Sequence, residues 1–128
     1  MKTKQLGNSD LNVSVVGLGC MMFGSMVDQE VTTACVNAAL DAGINFFDTA
    51  DIYGAAPNSS EELLRKALGK RRKDIILTTK FGANAGGRGG SIEGGGSREY
   101  IMTKIEESLT RLNTDYLDLY QYHFLRNR

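Results

Sequence analysis

The apolar residues of this 128-residue chain fall into short blocks separated by segments of helical period. "VSVVGLG" (13–19) is β-branched and apolar, the pattern of a strand buried on both faces. In the segment "QEVTTACVNAALDA", Asp28 is placed to cap a helix and Gly43 to end it. "INFF" (44–47) predicts a second strand. Within "NSSEELLRKALGK", Ser59 and Glu62 stand at capping-box spacing, and Gly69 closes the helix. "DIILTT" (74–79) predicts a third strand. Ser97 then opens "REYIMTKIEESLTRLN", where Ile101, Ile105, Leu109 and Leu112 mark one helical face. "DYLDLYQYH" (115–123) predicts a fourth strand, and "TKQLGNSDLNV" reads as a small hairpin turning at Gly7, Asn8 and Ser9.

Strand alternating with helix implies parallel strands joined by crossovers, an α/β fold. Two closures compete at this point: an open doubly wound sheet, or a (β/α)8 barrel, which needs ~250 residues. One segment departs from the rhythm. "GANAGGRGGSIEGGG" (82–96) follows the third strand and holds eight of the fifteen glycines. It is expected to be a flexible loop over 82–97, either plain linker or a lid.

Composition narrows the field of functions. Fifteen basic against fifteen acidic residues give zero net charge, which removes the electrostatic case for nucleic acid or an anionic membrane. The longest apolar run, "VSVVGLGCMMFG", is too short and glycine-rich to span a bilayer, and no cleavage site follows it. Cys20 and Cys35 match no metal, redox or disulfide spacing, so a cytoplasmic setting is the default expectation.

Candidate chemistry enters at the strand ends. "GLGCMMFG" offers Gly17 and Gly19 after a strand, but a Rossmann fingerprint would need its third glycine at Met22 and a helix starting at once. It is a weak match to a pyrophosphate cradle. The ends of the three later strands are more telling, because each delivers one ionisable group: Asp48, Lys80 and His123, with Tyr53 just beyond Asp48. Singly, Lys80 reads as a solvated strand end, Tyr53 as packing and His123 as a satisfied core histidine. Together they meet on the edge where parallel sheets place their sites. A free phenol, with pKa ~10, is a poor acid or base at neutral pH. An ammonium within reach favours its phenolate, and a carboxylate can hold that ammonium in place. A phenol so placed can protonate an oxygen as negative charge develops on it, which is the demand of carbonyl reduction by hydride. No side chain supplies hydride, so a nicotinamide cofactor is implied.

These residues carry a resemblance. Through "VVGLGCMMFG", "DAGINFFDTADIYG", "SSEELLRKAL", "DIILTTKFG" and "SLTRLNTDYLDLYQYH" the chain resembles the aldo-keto reductases, over nearly its whole length. The glycine-rich loop after the third strand is more similar to the branch with bacterial reductases and potassium-channel β subunits. The resemblance implies that 1–128 is an incomplete barrel domain: an N-terminal hairpin and about four βα units of a (β/α)8 barrel. It implies NADPH-dependent reduction of a small-molecule aldehyde or ketone. Tyr53 would be the general acid, Lys80 would assist its proton loss, Asp48 would pair with Lys80, and His123 would orient the carbonyl. Gly19, Cys20 and Met21, with Asp48, would lie beside the nicotinamide, Cys20 standing where the family commonly has threonine.

After His123 the chain reads "FLRNR" and stops, where the family continues with further βα units that hold most of the cofactor. The expectation is a chain that binds NADPH feebly and turns over little alone. Two other readings stand beside it: a half-barrel that self-associates or docks on a partner through exposed edges, including a regulatory subunit, and an open-sheet dinucleotide module.

Overall fold

The computed structural model of the chain describes residues 1–55, 58–82 and 96–123. Its order is β1 (Thr3–Gln5), β2 (Asn12–Ser14), β3 (Gly17–Gly19), α1 (Gln29–Asp41), β4 (Phe46–Asp48), β5 (Gly54–Ala55), β6 (Asn58–Ser59), α2 (Ser60–Leu68), β7 (Ile76–Phe81), α3 (Arg98–Leu112) and β8 (Leu119–Tyr122). A short 3₁₀ turn, Arg71–Asp74, leads into β7.

The helices start where their caps dictate. The side chains of Asp28, Ser59 and Ser97 accept from the backbone N–H groups of Val31, Glu62 and Tyr100. At Ser59 both halves of the capping box are present. Gly43 and Gly69, at φ +76° and +57°, turn the chain where a side chain would be strained.

The main sheet has strand order β3-β4-β7-β8. All three pairings are parallel, and spatial order follows chain order without reversal. A doubly wound sheet would switch direction at its first strand, so this topology is that of successive units of a barrel. One face of the sheet packs under the helices. Leu18, Phe47 and Leu77 point there and meet Val36, Leu63, Leu64, Leu68 and Leu112. Period-2 alternation turns Gly17, Gly19, Phe46, Asp48, Thr78, Lys80 and Gln121 to the opposite, inner face. Beneath that face the hairpin β1-β2 closes the N-terminal end. Asn45, just ahead of β4, ties it down by accepting from Ser14 N–H at 2.7 Å and donating to Asn12 O at 3.0 Å.

Three sequence expectations need correction. The run 13–19 is not one strand: Ser14 ends the hairpin and Gly17 begins the sheet, leaving Val15 and Val16 58% and 50% exposed between them. The second and third strands start two residues later than expected, and the fourth, expected over 115–123, runs only from Leu119 to Tyr122, because pairing with the neighbouring strand sets their bounds. The pair β5-β6 has no signal in the hydrophobic pattern. The glycine-rich loop expected over 82–97 lies almost wholly outside the described residues.

Candidate active site

The parallel register brings the strand ends level. Gly19 aligns with Asp48, Asp48 with Thr78, and Lys80 with Gln121, while His123 N–H donates to Phe81 O at 2.8 Å just past the end of β8. Beyond β4 the chain keeps following β7: Thr49 N–H donates to Thr78 O and Asp51 N–H to Lys80 O, both at 3.0 Å. A turn at 51–52 then swings Tyr53 back over the same opening.

Lys80 is the hub. Its Nζ donates to Asp48 Oδ2 at 2.6 Å and to Thr49 O at 2.8 Å. Its third neighbour is the Tyr53 hydroxyl, at 3.5 Å, with Nζ 5.0 Å from the ring centroid. The same hydroxyl lies 3.4 Å from His123 Nε2, the two rings meeting edge to face at 5.6 Å. Asp48 and Thr49 thus hold the ammonium by short contacts, whereas Tyr53 is approached by two longer ones. Contacts that long restrain the hydroxyl only weakly. Burial, and then the charge of Lys80, push the His123 imidazole below its ordinary range, with Asp48 opposing. The ring therefore stays neutral at neutral pH.

Space for a ligand lies alongside. A side-chain carbon added at Gly19 would meet nothing within 4 Å. A cavity of about 660 Å³ opens between the hairpin, at residues 4–7 and 13–15, and the inner-face residues Gly17, Gly19, Phe46 and Asp48. Met21, 53% exposed, follows at the same edge. Cys20 is different. It is fully buried, its N–H donates to Asp48 O, its carbonyl accepts from Ser60 Oγ at 2.7 Å, and burial pushes its thiol up to about 12. Of the seven residues singled out from sequence, Asp48, Tyr53, Lys80 and His123 converge, Gly19 and Met21 flank them, and Cys20 turns into the core.

Two neighbours of this set were not singled out. The Thr49 carbonyl, which fixes Lys80, is a backbone group and leaves no trace in residue type. Asp51 stands within the same "FDTADIYG" stretch, but its surroundings come from elements far along the chain. Among the described residues no cluster of three or more His, Cys, Asp or Glu could hold a metal, and no helix is long and apolar enough to cross a membrane.

Comparison with known proteins places this geometry in a lineage. The family model described as "Aldo/keto reductase family" matches residues 15–127. The uncharacterized oxidoreductase YqkF of Bacillus subtilis is 42% identical over 123 residues, covering 96% of this chain and 39% of that protein. A probable voltage-gated potassium channel subunit beta of Oryza sativa is 39% identical, covering 96% and 37%. Among solved structures, the aldo-keto reductase AKR11C1 of Bacillus halodurans, in its holo form, superposes with a TM-score of 0.79 at 43% identity. That match covers 95% of this chain and 40% of the reductase. The chain therefore spans about two-fifths of the length of these relatives.

Proposed function

The chain belongs to the aldo/keto reductase family, and from that premise we propose that its catalytic edge serves NADPH-dependent reduction of a small aldehyde or ketone to the alcohol. The observation that carries this reading is the Tyr53 hydroxyl, set 3.5 Å from Lys80 Nζ and 3.4 Å from His123 Nε2 at the open end of the sheet. Bound NADPH would supply the hydride to the carbonyl carbon. Tyr53 gives its proton to the carbonyl oxygen as charge builds there, a contribution worth ~10²–10⁴ in rate. The Lys80 ammonium favours the phenolate left behind, and Asp48 with Thr49 O keeps that ammonium from drifting. The neutral His123 ring orients the substrate oxygen without adding a second positive charge beside the phenol.

Gly19, Met21 and Asp48 are the residues of this chain that would sit beside the nicotinamide, because the inner face is open there. Cys20 supports that wall from the core side. The activity is proposed for the whole barrel; the 128-residue chain alone would bind NADPH feebly and turn over little.

The test joins residues 1–123 to the remaining βα units of the Bacillus halodurans reductase. Purified chimera should consume NADPH with 4-nitrobenzaldehyde. A folded chimera that binds NADPH yet consumes none would sink the assignment.

A further inference from the structure

On the helix side of the catalytic edge lies a second set of charges that the proposed reaction does not use. Glu61 of α2 is fully buried. It accepts from Thr79 Oγ1 of β7 at 2.7 Å and from Arg111 Nε of α3 at 2.5 Å. Lys104 Nζ of α3 is likewise engaged, 2.7 Å from Glu107 Oε2. Among the described residues, both of these cations are thus already paired. Asp51 stands among them with Oδ1 buried and without a hydrogen-bond partner among the described residues, and the buried Tyr120 hydroxyl of β8 shares that condition. Tyr100 of α3 feels the Asp51 charge as well.

The backbone of Asp51 is where this set touches the active centre. Its N–H holds Lys80 O at 3.0 Å, and Tyr53 N–H closes back on Ala50 O at 3.2 Å across the same turn. A neutral carboxyl can stay where Asp51 is. A carboxylate there is favoured by a nearby cation, and among the described residues the cations that oppose its raised pKa, Arg111 and Lys104, are paired with Glu61 and Glu107.

We infer that Asp51 is a positioning residue of the active centre, whose charge state resets the 49–53 turn and with it the placement of Tyr53 against Lys80. Supporting this, burial and then the Glu61 carboxylate push the Asp51 carboxyl up to about 6, against the opposing pull of Lys104 and Arg111. The change of state therefore falls just below neutrality. The inference rests on Tyr53 and Lys80 as the proton-handling pair, but its readout needs neither cofactor nor turnover, so it can fail while the reductase reading stands.

The test is carbon-detected NMR of the full 128-residue chain, labelled at Asp carboxyl and Tyr ring carbons, titrated from about pH 4 to about 8. The Asp51 carboxyl should titrate near 6, and the Tyr53 ring should move with the same midpoint. Glu61→Gln removes the raising charge and frees Arg111, so both midpoints should fall by roughly 1 unit. Arg111→Gln should raise both. Asp51→Asn should erase that step from the Tyr53 ring and leave the separate His123 step in place. An Asp51 carboxyl titrating near ~4, or a Tyr53 ring indifferent to Glu61→Gln, overturns the inference.

Discussion

Two ion pairs occupy opposite ends of the main sheet, sharing only β7, and they are built to different purposes. At the N-terminal end, Arg72 of the 3₁₀ turn meets Asp118, just ahead of β8, at 2.9 Å with side chains 15% and 17% exposed. Its guanidinium also donates to Ile75 O and Tyr116 O and stacks 4.0 Å over the Tyr116 ring, while Asp118 accepts from Leu77 N–H. These contacts knit backbone to backbone. At the C-terminal end, Lys80 meets Asp48 at 2.6 Å, but Asp48 is 35% exposed and the ammonium keeps one direction toward the Tyr53 hydroxyl. The first pair spends most of its hydrogen-bonding capacity on joining strands, with only Arg72 Nε buried without a partner among the described residues. The second leaves part of it pointing into open space, which is where barrels place chemistry.

The largest effect that can break this contrast is Tyr53→Phe. In the chimeric barrel it should lower carbonyl reduction by ~10²–10⁴ while leaving the thermal unfolding midpoint unmoved, since the hydroxyl has only long contacts. Retained turnover would remove Tyr53 from its role. Lys80→Met should come next, with a rate loss approaching that of Tyr53→Phe. Its stability change should stay within ~1 kcal/mol, because the abandoned Asp48 can rehydrate. Stability measured by urea unfolding and rate measured by NADPH consumption separate the two quantities.

Arg72→Ala should show the reverse signature. It strands Asp118 in a part-buried site, removes two backbone ties and exposes the Tyr116 ring, at a cost of ~1–3 kcal/mol in urea unfolding. The chimera's rate per folded molecule should be unchanged. A loss of rate equal to that of Lys80→Met would mean the two ends are not separable.

How legible each end is in the sequence follows from the range of its interactions. Helix starts at Asp28, Ser59 and Ser97 could be read because a cap acts over three residues. Asp48, Lys80 and His123 could be placed on one edge because equal strand register follows from successive parallel units. Strand bounds could not, since they depend on a partner strand; Val15 and Val16 look like strand interior and lie exposed. The Arg72–Asp118 clamp and the Glu61–Arg111 pair span 46 and 50 residues and leave no local pattern. Nor could sequence show that Cys20 faces the core, which the hydrogen bond from Ser60 to its carbonyl helps to fix.

The smallest effect sharpens the comparison by adding pH. It concerns Asp51, whose N–H holds Lys80 O and whose carboxyl is pushed up to about 6 by burial and then by the Glu61 charge. An acid held above its unfolded value binds its proton more tightly in the folded chain. As pH rises from about 4 to about 6 the unfolded chain loses that proton first, so this group lowers stability across that window and by a constant amount above it. Asp51→Asn removes the penalty. It should therefore stabilise the chain by on the order of 1 kcal/mol above pH ~6, after allowing for partial solvent screening, and by almost nothing near pH ~4. Urea midpoints of both proteins across that range decide it. A gain that persists undiminished at the acid end would trace to amide packing and not to charge, and would leave Asp51 as one more structural residue behind the sheet.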